Sequence, residues 1–193
     1  MRDLLSSHLI EHGTVFAALV ADTGLLDRLL EAGRIAGESV ARGGKVMFCG
    51  NGGSAADAQH FAAELTVRLE KDRAPLAGIS LCTDVSLLTA CSNDYSFEDV
   101  FARQIEALGK KGDVLVAIST SGNSPNVLKA ARTAKLKGIS VLAFTGAKGG
   151  KIGECCDVLL NVPAERTMRV QELHAVILHI WCDLLERYAC AVD

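Results

Sequence analysis

The sequence predicts an α/β fold, a doubly wound five-stranded parallel sheet of flavodoxin-like order with helices on both faces, and three observations lead to it. Five short apolar runs show no polar alternation, as expected for strands that are buried on both faces. Segments with helical spacing separate these runs, which is typical of parallel strands joined by crossover helices. Two of the runs end in glycine-rich or serine-rich loops that lead directly into a helix, at residues 50–54 and 119–124.

The predicted strands and helices alternate along the chain after two additional N-terminal helices. Helical periodicity predicts those two helices at residues 3–21 and 25–42. The predicted strands lie at residues 46–49, 77–81, 113–118, 139–144 and 157–162. The other predicted helices begin at residue 54 and lie at residues 85–91, 97–108, 125–137 and 169–189. If the strand order is 2-1-3-4-5, the first and third strands are neighbours, and both special loops open into one crevice.

The length and composition indicate a single globular domain over residues 1–193. The chain is 49% hydrophobic and 22% charged, which supplies enough apolar material for one core. A high apolar fraction and two extra N-terminal helices predict that helical faces are buried between chains. The formal net charge of −3 gives no electrostatic reason to expect a nucleic-acid partner, because nucleic-acid phosphates are usually met by clustered Lys and Arg.

The cysteines and the N-terminal sequence predict a cytoplasmic protein without a membrane partner. Seven cysteines lack Cys-x-x-Cys spacing and are odd in number, which argues against a disulfide framework and a structural zinc site. We expect most of them to be small buried residues in a reducing cytosol. The longest N-terminal apolar run, residues 15–21, is shorter than a membrane span and lacks the pattern of a signal peptide.

The loop after the first predicted strand has the composition of an anion-binding loop. Gly50, Gly52 and Gly53 permit backbone conformations that other residues resist. Ser54 and Asp57 have the spacing of a capping box, which predicts that a helix starts there. A loop of this kind points backbone N–H groups at one spot in front of a helix, which suits a phosphate.

His60 and Glu64 lie one turn apart on this predicted helix and therefore share a face. Such a pair can bind a metal or move protons. The alternative is a solvated pair at i and i+4, which is common on helices. Phe61, Ala62 and Leu65 around the pair predict a partly buried helix, which favours the functional interpretation.

The second special loop, residues 119–124, follows the third predicted strand. Four of its residues carry hydroxyl groups, and Ser124 precedes Pro125 at a predicted helix start. Proline suits the first helical position and serine suits the cap before it. The loop can therefore bind a phosphate through hydroxyl and backbone N–H groups without a lysine, although serine-rich turns also occur without a ligand.

Five motifs together, over nearly the whole chain, resemble the sugar isomerase (SIS) family, and within it the bacterial phosphoheptose isomerases. The motifs are Gly50-Asn51-Gly52-Gly53-Ser54, residues 59–66, Ser92-Asn93-Asp94, residues 119–124, and Gln171-Glu172-x-His174 with His179. The chain departs from the family at Val67, where a glycine is usual, and in the divergent segment of residues 164–169. Those departures bear on sugar specificity more than on reaction class.

The resemblance implies an aldose–ketose isomerase. It implies conversion of sedoheptulose 7-phosphate to D-glycero-D-manno-heptose 7-phosphate through an enediol, the first step of ADP- or GDP-heptose biosynthesis for the lipopolysaccharide core. It further implies a homotetramer with its sites at subunit interfaces.

The resemblance also implies which residues form the site. The implied phosphate contacts are Ser119, Thr120, Ser121 and Ser124. The implied sugar contacts are Asn51, Gly52, Gly53, Ser54, Glu64, Asn93, Asp94 and Gln171. The implied ligands of one divalent metal, expected to be zinc, are His60, Glu64, Gln171 and His179. Glu64 matches the base of the family and His179 its acid.

The chemistry of these residue types agrees with that assignment. An aldose–ketose isomerase moves a proton between neighbouring carbons through an enediol whose oxyanion needs stabilising. A carboxylate can carry the proton, and zinc accepts His, Glu and amide oxygen ligands. Eight residues of helix separate Gln171 from His179 by about 12 Å. A metal site shared between chains would relieve that separation.

Two other functions remain open at this point. The first is a non-catalytic SIS-fold binding protein similar to the one that associates with the bacterial replication initiator, which lacks the acid–base pair that Glu64 and His179 supply here. The second is another sugar-phosphate isomerase or an amino-sugar enzyme.

Overall fold

A five-stranded parallel sheet forms the middle layer of the structure, a computed structural model that describes residues 1–190. The strands are β1 (Val46–Gly50), β2 (Gly78–Ser80), β3 (Val114–Ile118), β4 (Ser140–Thr145) and β5 (Val158–Asn161). Their order in the sheet is β2-β1-β3-β4-β5, which confirms the predicted flavodoxin-like order.

Helices cover both faces of this sheet. They are α1 (Arg2–Ala21), α2 (Thr23–Ala41), α3 (Gly53–Thr66), α4 (Val85–Asp94), α5 (Ala102–Leu108), α6 (Pro125–Leu136) and α7 (Thr167–Cys190). Two short 3-10 turns lie at Phe97–Asp99 and Lys151–Cys155. The helix predicted at residues 97–108 is therefore a 3-10 turn followed by a shorter helix.

Two apolar cores lie on opposite faces of the sheet, because successive strand residues point to opposite sides. In β1, Phe48 packs in the core that contains residues of α2, α3 and α7. Met47 and Cys49 pack in the other core, with residues of α5 and α6. Trp181 of α7 is fully buried, and its ring meets Phe48 edge-on at 5.9 Å. Every residue of β1 and β3 is buried, as the unbroken apolar runs predict.

Helix α3 begins at Gly53, one residue before the predicted start, and the predicted capping box is wrong. Its N-cap is Gly52, at φ +56°, and within the described part of the chain no side-chain hydrogen bond caps the helix. This glycine conformation turns the chain one residue earlier, so Ser54 falls inside the first turn and is buried at 3% exposure. Asp57 makes no capping bond, and its buried Oδ2 has no hydrogen-bond partner among the described residues.

Helix α1 is largely exposed and packs only loosely on the rest of the structure. Only Leu19 of this helix is buried. By length and composition α1 could cross a membrane, unlike the shorter run at residues 15–21, but signal sequences and helices of soluble proteins meet the same criterion. Polar contacts connect α1 to α7: Arg169 donates to Glu11 over 3.1 Å, and Nδ1 of His12 lies 2.7 Å from a carboxylate oxygen of Glu172.

The seven cysteines are free thiols, and fewer of them are buried than the sequence predicts. Cys49, Cys91 and Cys182 are buried in strand or helix interiors. The other four are partly or fully exposed, because they lie in surface turns or near helix ends: Cys82, Cys155, Cys156 and Cys190.

Helices α2 and α7 pack closely through two glycines of α2. A Cβ atom at Gly37 would lie 2.4 Å from Cβ of Tyr188 and 2.8 Å from the carbonyl oxygen of Leu185. One at Gly33 would lie 2.7 Å from Cβ of Leu184. The distance between the two helices therefore depends on the absence of side chains at these positions.

We expect Gly37→Ala to destabilise the protein by about 1–3 kcal/mol, because the added methyl group overpacks this contact. Alanine's better helix propensity of about 1 kcal/mol offsets only part of that cost. Gly13→Ala in α1 is the matched control, since no atom of residues 1–190 outside the local helix lies within 4 Å of a Cβ there. Urea unfolding of both variants measures the effect. Equal stability of the two would contradict the close packing.

Candidate active site

The loops after β1 and β3 meet at one edge of the sheet, because these strands are paired in parallel with Gly50 opposite Ile118. A cavity of about 290 Å³ opens between them. Its walls come from these two loops and from the first turns of α7; they are Asn51, Gly52, Gly53, Ser54, Ile118, Ser119, Thr120, Ser124, Thr167 and Gln171. The crevice expected from the strand order is therefore present.

The hydroxyl-rich loop presents several donors at the start of α6. Ser124 is the N-cap residue of α6 and Pro125 is its first residue, as predicted. The Ser124 hydroxyl does not bond to its own helix; it lies 3.0 Å from the hydroxyl of Ser119, which is buried. The N–H of Gly122, at φ +65°, donates to the Ser119 carbonyl and closes the turn. The hydroxyl-bearing residues Ser119, Thr120 and Ser124 line the cavity beside the start of α6, where the partial positive charge of a helix N-terminus favours an anion.

Ser121 occupies a neighbouring depression. It lies there with Thr120, Gly146, Lys148 and other residues of the β4–β5 connection. Its hydroxyl accepts a hydrogen bond of 3.1 Å from the N–H of Asn123. Thr120 lines both spaces, so Ser121 is separated from the main cavity by one residue.

The side chain of Asn51 bonds to a residue that the sequence does not single out, Asn126. The two amides exchange reciprocal hydrogen bonds, each of 2.8 Å. Asn126 is 2% exposed and lies in the first turn of α6. A polar residue at the start of a helix is common, so only its full burial in the folded chain distinguishes it.

Gln171 closes the cavity from the side of α7. A Cβ atom at Gly53 would lie 2.4 Å from Nε2 of Gln171, so the glycine leaves the space that this amide fills. Thr167, the first residue of α7, also lines the cavity and belongs to the divergent segment at residues 164–169. No sequence signal distinguishes Thr167 beyond its position near the helix start.

Three of the four predicted metal ligands form a cluster on α3 and α7. One ligating atom each from His60, Glu64 and His179 lies within 4.8 Å of the others. His60 Nε2 lies 3.0 Å from a Glu64 carboxylate oxygen. Nδ1 of His179 donates to the Ala175 carbonyl over 2.7 Å, which leaves its Nε2 available as an acceptor or ligand. Gln171 lies two turns earlier on α7, beside Gly53 rather than in this cluster.

Asp57 lies one turn before His60 on α3. Burial raises the pKa of the Asp57 carboxyl, and the neighbouring His60 and His179 act in the opposite direction. The sequence assigns Asp57 a capping role, whereas the folded chain places its carboxyl near both histidines.

Asn93 and Asp94 do not line the cavity. They are the last residues of α4 and are exposed. The amide of Asn93 donates to the Asp94 carboxylate over 2.8 Å. The structure therefore separates this pair from the predicted sugar contacts that line the cavity, and Glu64 lies outside the cavity as well, in the cluster with His60 and His179.

His174 of α7 is buried, and two hydrogen bonds link it through the end of β4 to the hydroxyl-rich loop. It has no exposed surface, and its Nε2 lies 3.1 Å from the Thr145 carbonyl at the end of β4. The next residue, Gly146, donates from its N–H to the Thr120 carbonyl of the hydroxyl-rich loop. Burial lowers the pKa of the His174 imidazole to about 4, and the hydrogen bond to the Thr145 carbonyl offsets only part of this shift.

The fold and the two loops define an α/β protein with a cavity suited to an anionic ligand, and comparison with known proteins identifies its family. The family model of the SIS domain matches residues 16–146. The chain belongs to the SIS domain family, and its similar relatives within that family are phosphoheptose isomerases.

Two curated relatives show how far this similarity extends. A phosphoheptose isomerase from Rhodospirillum rubrum is 54% identical over 163 residues, which cover 84% of this chain and 87% of the relative. One from Burkholderia pseudomallei is 49% identical over 182 residues, which cover 94% and 92%. These relatives support an enzyme of the isomerase class, acting on a sugar phosphate, as the resemblance predicts.

Two solved structures share the whole architecture. The phosphoheptose isomerase from Neisseria gonorrhoeae has a TM-score of 0.89 and 44% identity, with 95% of this chain and 98% of that chain covered. The phosphoheptose isomerase from Francisella tularensis has a TM-score of 0.91 and 35% identity, with 96% and 97% covered. Their similarity confirms the SIS fold over nearly the full chain.

We expect the buried His174 to make stability fall as the pH is lowered. Above about pH 6.5 the imidazole is neutral in both states and costs nothing. Between about 6.5 and its folded pKa of about 4, the unfolded chain binds a proton that the folded chain does not, so the unfolding free energy decreases. Compared with His174→Gln, the wild type should lose about 2–3 kcal/mol more between pH 7 and 4.5. Urea unfolding at both pH values measures this, and parallel losses would contradict it.

Proposed function

We propose that the chain interconverts sedoheptulose 7-phosphate and D-glycero-D-manno-heptose 7-phosphate in the cytoplasm, as the first step of ADP- or GDP-heptose biosynthesis for the lipopolysaccharide core. One observation carries the proposal. Helix α3 begins at the cavity and, three turns later, carries Glu64 of the His60, Glu64 and His179 cluster. An anion-binding space and a group suited to proton transfer therefore lie on one rigid element. The names of the similar relatives supply the substrate.

We assign the phosphate of the substrate to the hydroxyl-rich loop. Ser119, Thr120 and Ser124 offer hydroxyl groups to the cavity, and the N-terminus of α6 beside them adds its partial positive charge. Ser121 completes the loop from the adjoining depression. Because the chain is acidic overall, the binding energy must come from these local donors rather than from a general positive field.

We assign the sugar hydroxyls to the remaining walls of the cavity. Gly52, Gly53 and Ser54 present main-chain and hydroxyl groups there, and Gln171 presents its amide. Asn93 and Asp94 are too exposed to belong to the same wall, and we propose that they complete the cavity of a neighbouring subunit.

Glu64 and His179 divide the proton chemistry in this proposal. Glu64 is half-buried, with a side chain 20% exposed, and its carboxylate can take a proton from the carbon beside the carbonyl and return it to the next carbon. His179 comes from α7 and so approaches from another side, with its Nε2 directed away from the Ala175 carbonyl. It can protonate a substrate oxygen or help to open the cyclic sugar.

The residues of the cluster fit one divalent metal, which we propose is zinc. Two imidazoles and a carboxylate whose ligating atoms lie within 4.8 Å of one another are a typical zinc donor set. A bound zinc would act as a Lewis acid on the oxygens of the reacting carbons. Gln171 joins the set only if its amide leaves Gly53, or if the ligands come from more than one chain.

We also propose that the chain forms a homotetramer with sites at subunit interfaces. Helix α1 exposes large apolar side chains that a lone chain would leave in water: Leu4, Leu5, Leu9, Ile10, Phe16 and Val20. Leu26 and Leu30 of α2 are exposed apolar side chains as well. Apolar patches of this kind usually mark contacts between proteins.

We expect Glu64→Gln to lower turnover of sedoheptulose 7-phosphate by about 10²–10⁴-fold, because the amide keeps the shape but cannot act as a base. Glu31→Gln is the matched control: Glu31 lies in an exposed helical ion pair with Arg34 on α2. A coupled assay measures turnover, and solvent deuterium exchange into the substrate reports the proton step. Exchange by Glu64→Gln at the wild-type rate would rule Glu64 out as the base.

Metal content and activity, measured together, distinguish a role in metal binding from a role in proton transfer. Elemental analysis should find one zinc per chain in the wild type and a reduced content in His60→Gln, since the carboxamide is a weaker ligand than imidazole. If the metal-free wild type kept full activity, the reaction would not need a metal, and His60 would be a polar contact only. No turnover of any sugar phosphate would instead favour the non-catalytic binding protein.

We expect light scattering to find four chains per particle, and Leu9→Glu with Ile10→Glu to dissociate them. Both side chains are about three-quarters exposed in the single chain, at 74% and 69%, so the substitutions leave the fold intact. Leu136→Glu on α6 is the control, because this leucine is 90% exposed and lies outside α1. A wild-type monomer at micromolar concentration would contradict the tetramer.

A further inference from the structure

We propose that Asn126 is a positioning residue, which sets the shape of the cavity by holding the side chain of Asn51. In this arrangement the Asn51 side chain is held in one orientation at the wall of the cavity. The inference rests on the proposed function only in that the cavity takes a phosphate group.

The pair holds the two amides in one relative orientation. Nδ2 of Asn51 donates to Oδ1 of Asn126 over 2.8 Å, and Nδ2 of Asn126 donates to Oδ1 of Asn51 over 2.8 Å. Oδ1 of Asn126 also accepts from the N–H of Val127 over 2.9 Å. Breaking the pair would leave the buried Asn126 amide without these partners, which favours the paired arrangement.

The pair joins two loops that are otherwise held separately. The hydroxyl-rich loop is fixed on its far side to the β4–β5 connection, since Gly146 donates to Thr120 and Ile152 donates to Gly122. Beyond the last ladder position, Gly50 opposite Ile118, the Asn51–Asn126 pair is the one hydrogen-bonded link between residues 50–54 and 119–126 in the described part of the chain. The width of the cavity therefore depends on this link.

An amide pair also suits the charge of an anion site. An ion pair at this position would place a carboxylate beside the phosphate or would tie up a cation that the phosphate would otherwise attract. Two neutral amides hold the loops together without either effect.

The experiment measures the affinity of the folded chain for inorganic phosphate by calorimetry. Asn126→Ala and Asn51→Ala should each weaken phosphate binding by about tenfold, as expected for the loss of a buried hydrogen-bonded link. The double variant should bind no more weakly than the weaker single variant, because each substitution removes the same link. With sugar phosphate, each single variant should raise KM more than it lowers kcat.

Gln104→Ala is the matched control for a general loss of stability. Gln104 is also a buried amide, and it donates to the carbonyls of Leu81 and Val100, neither of which lines the cavity. This variant should lose stability but keep the wild-type affinity for phosphate. If Asn126→Ala fails to fold, Asn51→Ala tests the link from its less buried end.

Three results would overturn the inference: wild-type phosphate affinity in Asn51→Ala, additive losses in the double variant, or an equal loss in Gln104→Ala. Absence of phosphate binding by the wild type would overturn it as well. A wild type that binds phosphate but turns over no sugar phosphate would defeat the proposed function alone, and the phosphate affinities of the variants would still decide the role of Asn126.

Discussion

The parallel pairing of β1 with β3 is the contact on which the rest of the structure depends. These strands are consecutive in the sheet but not in the chain, and every residue of both is buried. Because the strands run in the same direction, the loops that follow them lie side by side, and α3 and α6 both start at that edge. The partial positive charges of two helix N-termini therefore converge on one cavity, in a chain with a net negative charge.

Much of this arrangement could be predicted from local sequence. Unbroken apolar runs locate buried strands because both faces of such a strand must exclude water. Ser124 followed by Pro125 locates the start of α6 because a cap and a fixed φ act within two residues. His60 and Glu64 share a face because helical periodicity alone decides it. Each of these features depends on neighbours in the sequence.

The features that the sequence does not reveal depend on contacts between distant residues. Asn51 and Asn126 are 75 positions apart, and neither residue alone indicates a reciprocal pair. The start of α3 at Gly53 follows from the positive φ of Gly52, a choice among glycine conformations that the tertiary contacts make. The placement of Gln171 against Gly53 likewise requires the packing of α7 on α3. Such pairings are decided by the fold as a whole rather than by any segment.

Helix α7 reaches both the cavity, through Gln171, and the three-residue cluster, through His179. Because α7 is a continuous helix, the eight residues from Gln171 to His179 span about 12 Å along its axis, which is a little more than two turns. A molecule that contacts both Gln171 and His179 must have a matching length, and a shorter phosphorylated sugar would contact only one of them. Insertion of a single residue between Gln171 and His179 would rotate His179 by about 100° away from His60 and Glu64. Insertion of a whole turn would keep the direction of His179 and increase its distance from Gln171 by about 5.4 Å. Evolution can therefore change the span of this site only in steps of about one helical turn.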